Sequence, residues 1–373
     1  MLLRWYKNIT RQYTRDMKIL YVAGREAEYS RTRIVIAALR ARGHDLTLCL
    51  PPDRRFRHYP SLAWQVFRNA GQCDVVLVGF YGQLLLPLVW LATRKPIVFD
   101  TYITTYDTMV FDRAKAKPGS LKAWLYGLSD RLSYRLARIS ILDSQHVIDH
   151  FGRLFNCSTH KLRRLFLAVD DTVLHPRTET PTPATLPTPE KPLLVHFHGE
   201  YTPFHGVSTI IQAAKILQDA AEPVVFQVVG KGITYEQDRA LAAELGVANI
   251  RFIDPVPYPD LADLMDKADI CLGIFGSNHR AELVITNKVV EAIGMRKPLI
   301  TRDNAPVREL LTHDETAYLV PPANPEALAQ AIRTLGNDPA KRDAMAQAGY
   351  ARFLEYGTIS QLGAGFDRIL NDL

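Results

Sequence analysis

Cysteine is scarce in this sequence, and its placement argues against the usual cysteine-based scaffolds. Four cysteines (Cys49, Cys73, Cys157 and Cys271) occur in 373 residues, and no two of them form the Cys-x-x-Cys pair that is typical of structural zinc sites. The pattern therefore indicates neither a zinc site nor a disulfide framework. Because disulfide-rich domains belong to oxidising compartments, we expect a cytoplasmic protein.

Long apolar runs are lacking as well. The run LLLPLVWLA, from Leu84 to Ala92, is far shorter than the about 20 residues that a membrane-spanning helix needs. The basic and aromatic residues near the first methionine are not followed by the apolar core of a leader peptide. We expect residues 1–16 to be an N-terminal extension, because MKILYVAG from Met17 resembles a native start.

Two binding signatures are missing. No Gly-x-Gly-x-x-Gly follows the first strand, so the dinucleotide fingerprint is absent. The turn VVGKGITYEQ has Gly230 and Gly232, but Tyr235 stands where a third glycine would be. These glycines indicate either a tight turn or a close approach of the backbone to a ligand, with Lys231 nearby. No Asp-x-Asp motif with a supporting acidic cluster is present, and we predict no metal site.

The composition is that of an ordinary globular protein. Hydrophobic residues make up 47% and charged residues 23% of the chain, whose length suggests two or three domains. The net charge of +6 is compatible with phosphate-bearing substrates, an anionic membrane surface or nucleic acid. Basic residues are scattered outside residues 113–138, whereas a nucleic-acid groove concentrates them with aromatics. We therefore predict no nucleic-acid partner.

Short apolar segments alternate with amphipathic ones along most of the chain. Segments such as KILYVAG, DVVLVG and PIVFD indicate buried strands of a parallel sheet that is wrapped by helices on both faces. The pattern repeats after a Pro- and Thr-rich stretch at 175–192, which we interpret as a linker. We predict an α/β fold with two Rossmann-like, doubly wound domains, at 17–174 and 193–355, facing a central cleft. A C-terminal helix at 356–373 is expected to pack back on the first domain.

The helix that begins in ITNKVVEAIG carries a binding pattern. Lys288 and Glu291 lie three residues apart and close to the helix start at Asn287, so they share one face. On spacing alone, a solvated ion pair is the simpler interpretation. A helix N-terminus is also a ready anion site, and a carboxylate one turn later can accept hydrogen bonds from two adjacent hydroxyls. A phosphate beside a diol describes a nucleotide sugar.

The loop HGEYTPFHGV connects a strand that ends at Gly199 to a helix that starts near Gly206. Backbone N–H groups at such a helix start can hold a phosphate, and His205 can add a donor. By itself, His205 is better explained as a loop histidine without a role.

Polar and aromatic residues follow the strand PIVFD in the segment FDTYITTYDTMVFDR. Residues just beyond a buried parallel strand project into a cleft, although a solvated loop would have the same composition. Aromatic rings interleaved with carboxylates suit sugars, which offer apolar C–H faces and hydroxyl donors. We predict that Tyr106, Asp107 and Arg113 bind an acceptor.

Residues 113–138 are basic and amphipathic. An apolar stripe runs through Leu121, Trp124, Leu125, Leu128, Leu132 and Leu136. A core-facing helix with a solvated basic face is the simpler interpretation. The alternative is contact with an anionic membrane surface, which would make the protein peripheral at the inner face of the membrane.

Together these motifs resemble the family-4, group 1 glycosyltransferases, which have the GT-B fold. NKVVEAIGMRKPLIT resembles the family signature E-A-x-A-x-G-x-P-V-I, with Glu291, Ala292 and Pro298 in place. VVGKG resembles the V-G-x-G turn, and RFIDPVPYPDLADLMDKADICL the F-x-G-x-V segment. FLAVDDTVLHP and GHDLTL resemble two further family patterns, so the resemblance covers nearly the whole chain from Met17.

The resemblance implies a retaining, hexosyltransferase-type reaction. A sugar would pass from a UDP- or GDP-sugar, held by the C-terminal domain, to a glycan, lipid-linked or small-molecule acceptor on the N-terminal domain. No tightly bound cofactor is implied. Glu291 would bind the ribose hydroxyls. The other donor-binding residues would be Gly24, Gly199, His205, Gly206, Gly230, Lys231, Gly232, Pro255, Val256, Arg280, Asn287 and Lys288.

The sequence departs from the family pattern at three places. Glu200 and His205 stand where the family has an Arg and a Lys that neutralise the diphosphate, and Asp100 or Tyr102 replaces the usual cleft histidine. Glu282 is one residue away from the position of the first family glutamate. Other cations must therefore stabilise the leaving diphosphate. Candidates are Lys288, Arg280, Lys231 and His205, and the predicted catalytic residues are Asp100, Tyr102, His205 and Lys288.

Two alternatives to a transferase remain open from the sequence. A GT-B-like epimerase would convert a nucleotide sugar without any acceptor. A non-catalytic homologue, suggested by Glu200 and His205, would bind the donor and release no diphosphate.

Overall fold

The computed structural model describes residues 16–113, 115–178 and 183–373. It contains two parallel sheets of six strands each, which confirms the predicted α/β fold. Residues 1–15 of the predicted extension and 179–182 of the predicted linker lie outside the described residues. None of the described helices combines the length and the apolar content that crossing a membrane requires.

The N-terminal domain alternates strands and helices. Its strands are β1 (Lys18–Val22), β2 (Asp45–Cys49), β3 (Val75–Val78), β4 (Ile97–Tyr102), β5 (Ile139–Leu142) and β6 (Leu162–Arg164). Its helices are α1 (Ser30–Ala41), α2 (Tyr59–Asn69), α3 (Leu86–Ala92), the single turn α4 (Thr105–Asp107), α5 (Leu121–Leu136) and α6 (Gln145–Phe155). The strand order is β2-β1-β3-β4-β5-β6.

The C-terminal domain repeats the arrangement. Its strands are β7 (Leu193–His198), β8 (Val224–Val229), β9 (Ile250–Ile253), β10 (Ile270–Leu272), β11 (Leu299–Arg302) and β12 (Tyr318–Val320). Its helices are α7 (Val207–Asp219), α8 (Tyr235–Glu244), α9 (Tyr258–Asp266), α10 (His279–Glu282), α11 (Asn287–Gly294), α12 (Ala305–Leu310), α13 (Pro325–Gly336) and α14 (Pro339–Tyr356), followed by α15 (Ile359–Asn371). The strand order is β12-β11-β10-β7-β8-β9.

Local sequence explains these elements. Every residue of β3 and β5 is buried, as expected for strands covered by helices on both faces. Side-chain oxygens of Ser120, Ser144 and Asn324 accept hydrogen bonds from backbone N–H groups three residues later and so cap α5, α6 and α13. In each sheet the strand order changes direction beside the first strand, and a crevice for ligands opens at the carboxyl ends of strands there.

The last helix, α15, packs on the N-terminal domain. Its residues Leu362 and Phe366 belong to the apolar cluster that also contains Val35 of α1. Asp367 Oδ2 accepts a hydrogen bond from Arg42 Nε at 2.5 Å, and Asp367 Oδ1 lies 2.8 Å from His44 Nε2. The C-terminal end of the chain thus ties the second domain to the first.

Helix α5 does not pack as the simpler interpretation predicts. Leu121, Trp124 and Leu125 are 73%, 56% and 50% exposed, so the expectation of a core-facing leucine stripe is wrong. The helix instead buries small and polar residues. Asp130 accepts hydrogen bonds from the backbone of α4, and Ser133 donates to a backbone carbonyl. Because these polar contacts fix the orientation of α5, its apolar stripe faces outward.

Candidate active site

A cavity of about 420 Å³ lies between the two domains. Residues that follow β1, β3, β4 and β5 form one wall, and residues that follow β7 and the start of α11 form the other. This is where ligands bind in parallel α/β sheets. The polar and charged residues of its lining include Arg31, Tyr102, Arg113, Asp143, His198, Glu200, His205, Arg280, Asn287, Lys288 and Glu291.

Glu291 sits one turn into α11 and reaches the cavity while it is almost fully buried. Its Oε2 lies 2.7 Å from His198 Nε2, and its Oε1 accepts a hydrogen bond of 3.0 Å from the Tyr258 hydroxyl. Burial by itself would raise the pKa of Glu291, but the hydrogen bond from His198 and the charge of Lys288 hold it below its ordinary value. The cavity therefore presents a buried, ionised carboxylate in a fixed orientation.

A chain of hydrogen bonds behind Glu291 sets that orientation. Gln227 Nε2 donates to the carbonyl of Leu264 and to His196 Nδ1, both at 2.9 Å. The proton of His196 must then lie on Nε2, which is 3.0 Å from His198 Nδ1, so His198 donates from Nε2 to Glu291. Burial keeps the pKa of His196 well below its usual value, so a neutral His196 fixes the orientation of the His198 ring.

Lys288 supplies a cation at the same cavity. Its Nζ donates to His205 Nε2 at 2.9 Å, and the opposite ring nitrogen of His205 bonds to the carbonyl of Glu200. Burial lowers the pKa of Lys288 to about 8, against the opposing charges of Glu291 and Glu200. Burial, followed by the charge of Lys288, also lowers the pKa of His205 well below its usual value. A neutral His205 therefore orients a lysine that is charged at neutral pH.

Close backbone approach explains the glycine at the end of β7. Gly199 has a φ of +146°, and a Cβ placed there would lie 3.0 Å from Lys288 Nζ. A Cβ on the neighbouring Gly230 would collide with the carbonyl of Gly199. The turns at Gly199 and Gly230 pack closely against each other, and the absence of a side chain at Gly199 leaves room for Lys288 to reach the cavity.

The opposite wall centres on a residue that the motifs do not single out. Arg31 of α1 forms two hydrogen bonds of 3.0 Å to Asp100, and its guanidinium lies 3.8 Å from the centroid of the Tyr102 ring. Its remaining nitrogen, Nη1, is buried and has no hydrogen-bond partner among the described residues. Tyr102 has a φ of +53°, and its hydroxyl donates to the carbonyls of Leu165 and Phe166. Strain of this kind is common at functional sites.

Asp143, which follows β5, places a carboxyl on this wall of the cavity. Burial raises its pKa to about 7, although the charge of nearby Arg280 opposes the shift. Both residues line the cavity. A carboxyl with such a pKa can gain or lose a proton near neutral pH.

The structure divides the predicted site residues into groups. Those that line the cavity are Tyr102, Arg113, Gly199, His205, Arg280, Asn287, Lys288 and Glu291. Asp100 lies fully buried behind Arg31 and does not line it. Gly206 caps α7, and Gly24 packs beneath Tyr59 and Tyr81. Beyond the lining lie Gly230, Lys231, Gly232, Pro255 and Val256, with Lys231 exposed and paired to Asp254 at 3.0 Å.

Of the predicted acceptor residues, Arg113 lines the cavity, whereas Tyr106 and Asp107 do not. Tyr106 packs edge-on against Phe111. Asp107 is buried, and its carboxylate contacts His150 and His279. Asp107 therefore joins a side-chain cluster next to the cavity.

Sequence reasoning missed Arg31, Asp143, His198 and Tyr258. Asp143 carries a usable signal, because it follows a buried strand in the same way as Asp100. His198, in the strand LLVHFH, also ends a buried strand. Arg31 and Tyr258 carry no local signal, since each reaches the site from a helix whose sequence is compatible with a solvated position.

Residues 179–352 match the protein family described as "Glycosyl transferases group 1". The chain is 29% identical over 181 residues to the D-rhamnosyltransferase WbpZ of Pseudomonas aeruginosa, a match that covers 46% of this chain and 46% of that protein. It is 30% identical over 190 residues to the D-inositol 3-phosphate glycosyltransferase of Corynebacterium glutamicum, covering 48% of this chain and 44% of that protein. The matched part spans about half the length of these relatives.

Solved structures resemble the whole fold. Anabaena HepE in complex with UDP and glucose superposes with a TM-score of 0.70 and 17% identity, over 96% of this chain and 100% of that one. The sucrose-phosphate synthase of Thermosynechococcus elongatus gives a TM-score of 0.72 and 14% identity, over 95% of this chain and 98% of that one. At such identities the likeness establishes the arrangement of the two domains alone.

Proposed function

We propose that this chain, which belongs to the group 1 glycosyltransferases of the GT-B fold, moves a sugar from a nucleoside diphosphate sugar to an acceptor hydroxyl. The observation that carries the proposal is the pairing of Lys288 and Glu291 on one turn of α11, both buried and both facing the cavity. One is suited to a phosphate and the other to a ribose diol. The family resemblance is the ground for proposing a UDP- or GDP-sugar and retention of configuration.

Glu200 and His205 stand where the family pattern has an Arg and a Lys, and other positively charged residues of the cavity can replace that pair. His205 occupies one of the two positions and orients Lys288 through a hydrogen bond of 2.9 Å. In our proposal the Lys288 ammonium stabilises the leaving diphosphate, and Arg280 adds a second positive charge in the same lining. The site thus replaces two cations of the family pattern with one buried lysine and an arginine from α10.

The N-terminal wall is proposed to hold the acceptor. Arg31 lines the cavity, its buried Nη1 has no hydrogen-bond partner among the described residues, and Asp100 positions its guanidinium. Tyr102 and Arg113 lie on the same wall and can contact the sugar and acceptor. The carboxyl of Asp143 can accept the proton that the acceptor hydroxyl releases, since its pKa of about 7 is matched to neutral pH.

We propose that the acceptor is presented at an anionic membrane surface. Exposed large apolar residues also occur on α3, which contacts α5, and on α2, which contacts α3: Trp90 and Leu91 on α3, and Trp64 and Phe67 on α2. Lys and Arg flank the stripe, and each adds about 1 kcal/mol of attraction near an anionic surface. Such a face suits a peripheral protein that lies on a bilayer.

The donor assignment is tested with the Glu291→Ala variant. Loss of two hydrogen bonds to a diol should cost about 1–3 kcal/mol, which corresponds to about 5- to 150-fold weaker binding of the preferred nucleotide sugar. A thermal-shift panel of UDP-, GDP- and ADP-sugars first identifies that donor. Glu236→Ala is the matched control, because Glu236 lies in the first turn of α8 and is exposed.

Equal donor affinity in the wild type and in Glu291→Ala would reject the assignment. A transferase should release diphosphate only when an acceptor is added, and this result would distinguish it from the two alternatives. An epimerase would convert the donor without an acceptor, and a non-catalytic homologue would bind it without releasing diphosphate.

The membrane proposal is tested by co-sedimentation with vesicles. We expect the protein to pellet with anionic vesicles and much less with neutral ones, and Trp124→Glu to abolish the pelleting. Ile233→Glu is the control, because Ile233 is 74% exposed on the other domain. Equal pelleting with both vesicle types, or none, would contradict an electrostatic membrane contact.

A further inference from the structure

Three side chains that are far apart in sequence meet beside the cavity. Asp107 lies in α4, His150 in α6, and His279 in α10 of the other domain. One ligand atom from each, an imidazole nitrogen or a carboxylate oxygen, lies within 4.8 Å of the others. Asp107 is almost fully buried, whereas side chains of His150 and His279 are 15% and 35% exposed. The cluster is therefore preformed and open on one side.

From this geometry we propose that Asp107, His150 and His279 bind a divalent transition-metal ion such as Zn²⁺. Two imidazoles and one carboxylate are a ligand set that zinc accepts, with a fourth position left for water or another group. The sequence analysis predicts no metal site, because no Asp-x-Asp motif with a supporting acidic cluster is present. The proposal concerns a property separate from sugar transfer.

The distances agree with ligands that share an ion. Ligand atoms about 2.1 Å from a tetrahedral zinc ion lie about 3.4 Å apart. Both histidines approach the same oxygen of Asp107: His150 Nε2 lies 3.3 Å and His279 Nε2 lies 3.6 Å from Oδ1. The second distance is too long for a good hydrogen bond but is close to the edge of a metal tetrahedron.

Neighbouring groups hold the three ligands in place. The Thr104 hydroxyl donates to Asp107 Oδ2 at 2.5 Å. Glu282 Oε2 lies 3.8 Å from the other nitrogen of His279, which is beyond hydrogen-bond distance, so it adds a nearby negative charge rather than a fixed contact. The Phe111 ring packs edge-on against His279 at 4.6 Å. The histidine from the second domain thus has a restricted orientation.

The ion would bridge the two domains. Asp107 and His150 belong to the N-terminal domain and His279 to the C-terminal domain, and the adjoining residues Thr108 and Arg280 line the cavity. Occupancy would therefore stabilise this arrangement of the two domains at the edge of the cavity, since binding energy is available only when both domains are in place.

The test uses the untagged, full-length protein after treatment with a chelator. Calorimetric titration with Zn²⁺ should give one tight site, and titration with Co²⁺ should give the intense visible absorption of a four-coordinate ion. The affinity for Zn²⁺ should fall by more than about 100-fold in His279→Gln. A loss of up to about 100-fold is typical when the group removed only supports a metal ligand. Zn²⁺ should raise the melting temperature of the wild type and leave that of His279→Gln unchanged.

His58→Gln is the matched control. His58 also faces a carboxylate, with Nε2 3.1 Å from Asp53 Oδ1, and this variant should bind Zn²⁺ like the wild type. His150→Gln is a second variant in case His279→Gln is unstable.

Equal zinc affinity in the wild type and His279→Gln would overturn the proposal, as would the weak spectrum of six-coordinate Co²⁺. The three side chains would then share protons as an ion-pair cluster. No nucleotide sugar is present in these titrations, so their outcome is independent of the proposed transferase activity.

Discussion

Replacing Lys288 by methionine should separate the charge of this residue from its bulk. Methionine is apolar and of similar length, so the variant keeps the packing against Gly199 and His205 while it removes the ammonium group. Lys288 is almost fully buried, and within the described part of the chain the acceptor that loses its partner is His205 Nε2. We expect the fold to survive and the binding of nucleoside diphosphates to weaken.

The magnitude follows from the kind of contact that is lost. A hydrogen bond between a buried ammonium and a phosphate oxygen contributes about 1.5–3 kcal/mol, which is about 10- to 150-fold in the dissociation constant. The catalytic rate should fall further than the affinity, because charge accumulates on the diphosphate as it leaves.

Isothermal titration with UDP and GDP measures the loss of affinity. The matched control is Lys231→Met, which also removes one positive charge from the C-terminal domain. Lys231 is exposed, pairs with Asp254 at 3.0 Å and lies outside the cavity lining. Equal losses in the two variants would mean that only the net charge of the domain matters, and the assigned role of Lys288 would be refuted.

The dependence of this binding on pH adds a second check. Burial lowers the pKa of Lys288 to about 8, so the ammonium is charged below that pH and neutral above it. Affinity for the diphosphate should fall by about twofold between pH 7 and 8 and then weaken by up to about tenfold per pH unit. Lys288→Met should lack this decline, and a wild-type profile that stays flat to pH 9.5 would contradict the assignment.

Two further predictions concern the turn at β7 and the last helix. Gly199→Ala should destabilise the protein by about 1–3 kcal/mol and weaken nucleotide binding, because the φ of +146° is strained for alanine and the new Cβ would lie 3.0 Å from Lys288 Nζ. Urea unfolding measures the loss of stability, and titration with nucleotide measures the loss of affinity. The control is Gly71→Ala, where no atom lies within 4 Å of the added Cβ, and equal effects in the two variants would refute the prediction. Phe366→Ala should cost about 3–5 kcal/mol, since Phe366 is fully buried in the N-terminal core. A loss below about 1 kcal/mol in urea unfolding would mean that α15 does not anchor the two domains.

Local patterns in the sequence were sufficient for the two-domain α/β architecture. Apolar runs such as VVLV at 75–78 and capping residues such as Ser144 determine strands and helices over a few residues, and these signals do not depend on the rest of the chain. The same holds for α11, where Lys288 and Glu291 share a face through helical spacing alone. The family motifs added the expectation of a nucleotide-sugar site.

Only the tertiary structure decided which groups meet at the site. His198 and Tyr258 lie 93 and 33 residues from Glu291 along the chain, yet both contact its carboxylate. Arg31 reaches Asp100 across 69 residues. No spacing rule relates positions this far apart, because their contact depends on the strand order of two sheets.

Packing likewise decided the orientation of α5 and the composition of the Asp107 cluster. The leucine stripe of α5 has the pattern of a buried face, but the hydrogen bonds of Asp130 to α4 turn that stripe outward. Asp107, His150 and His279 come from two domains and meet only when the cleft is assembled. Periodicity determines which residues of α5 share a face. The contacts made by the opposite face determine whether the apolar stripe is buried or exposed.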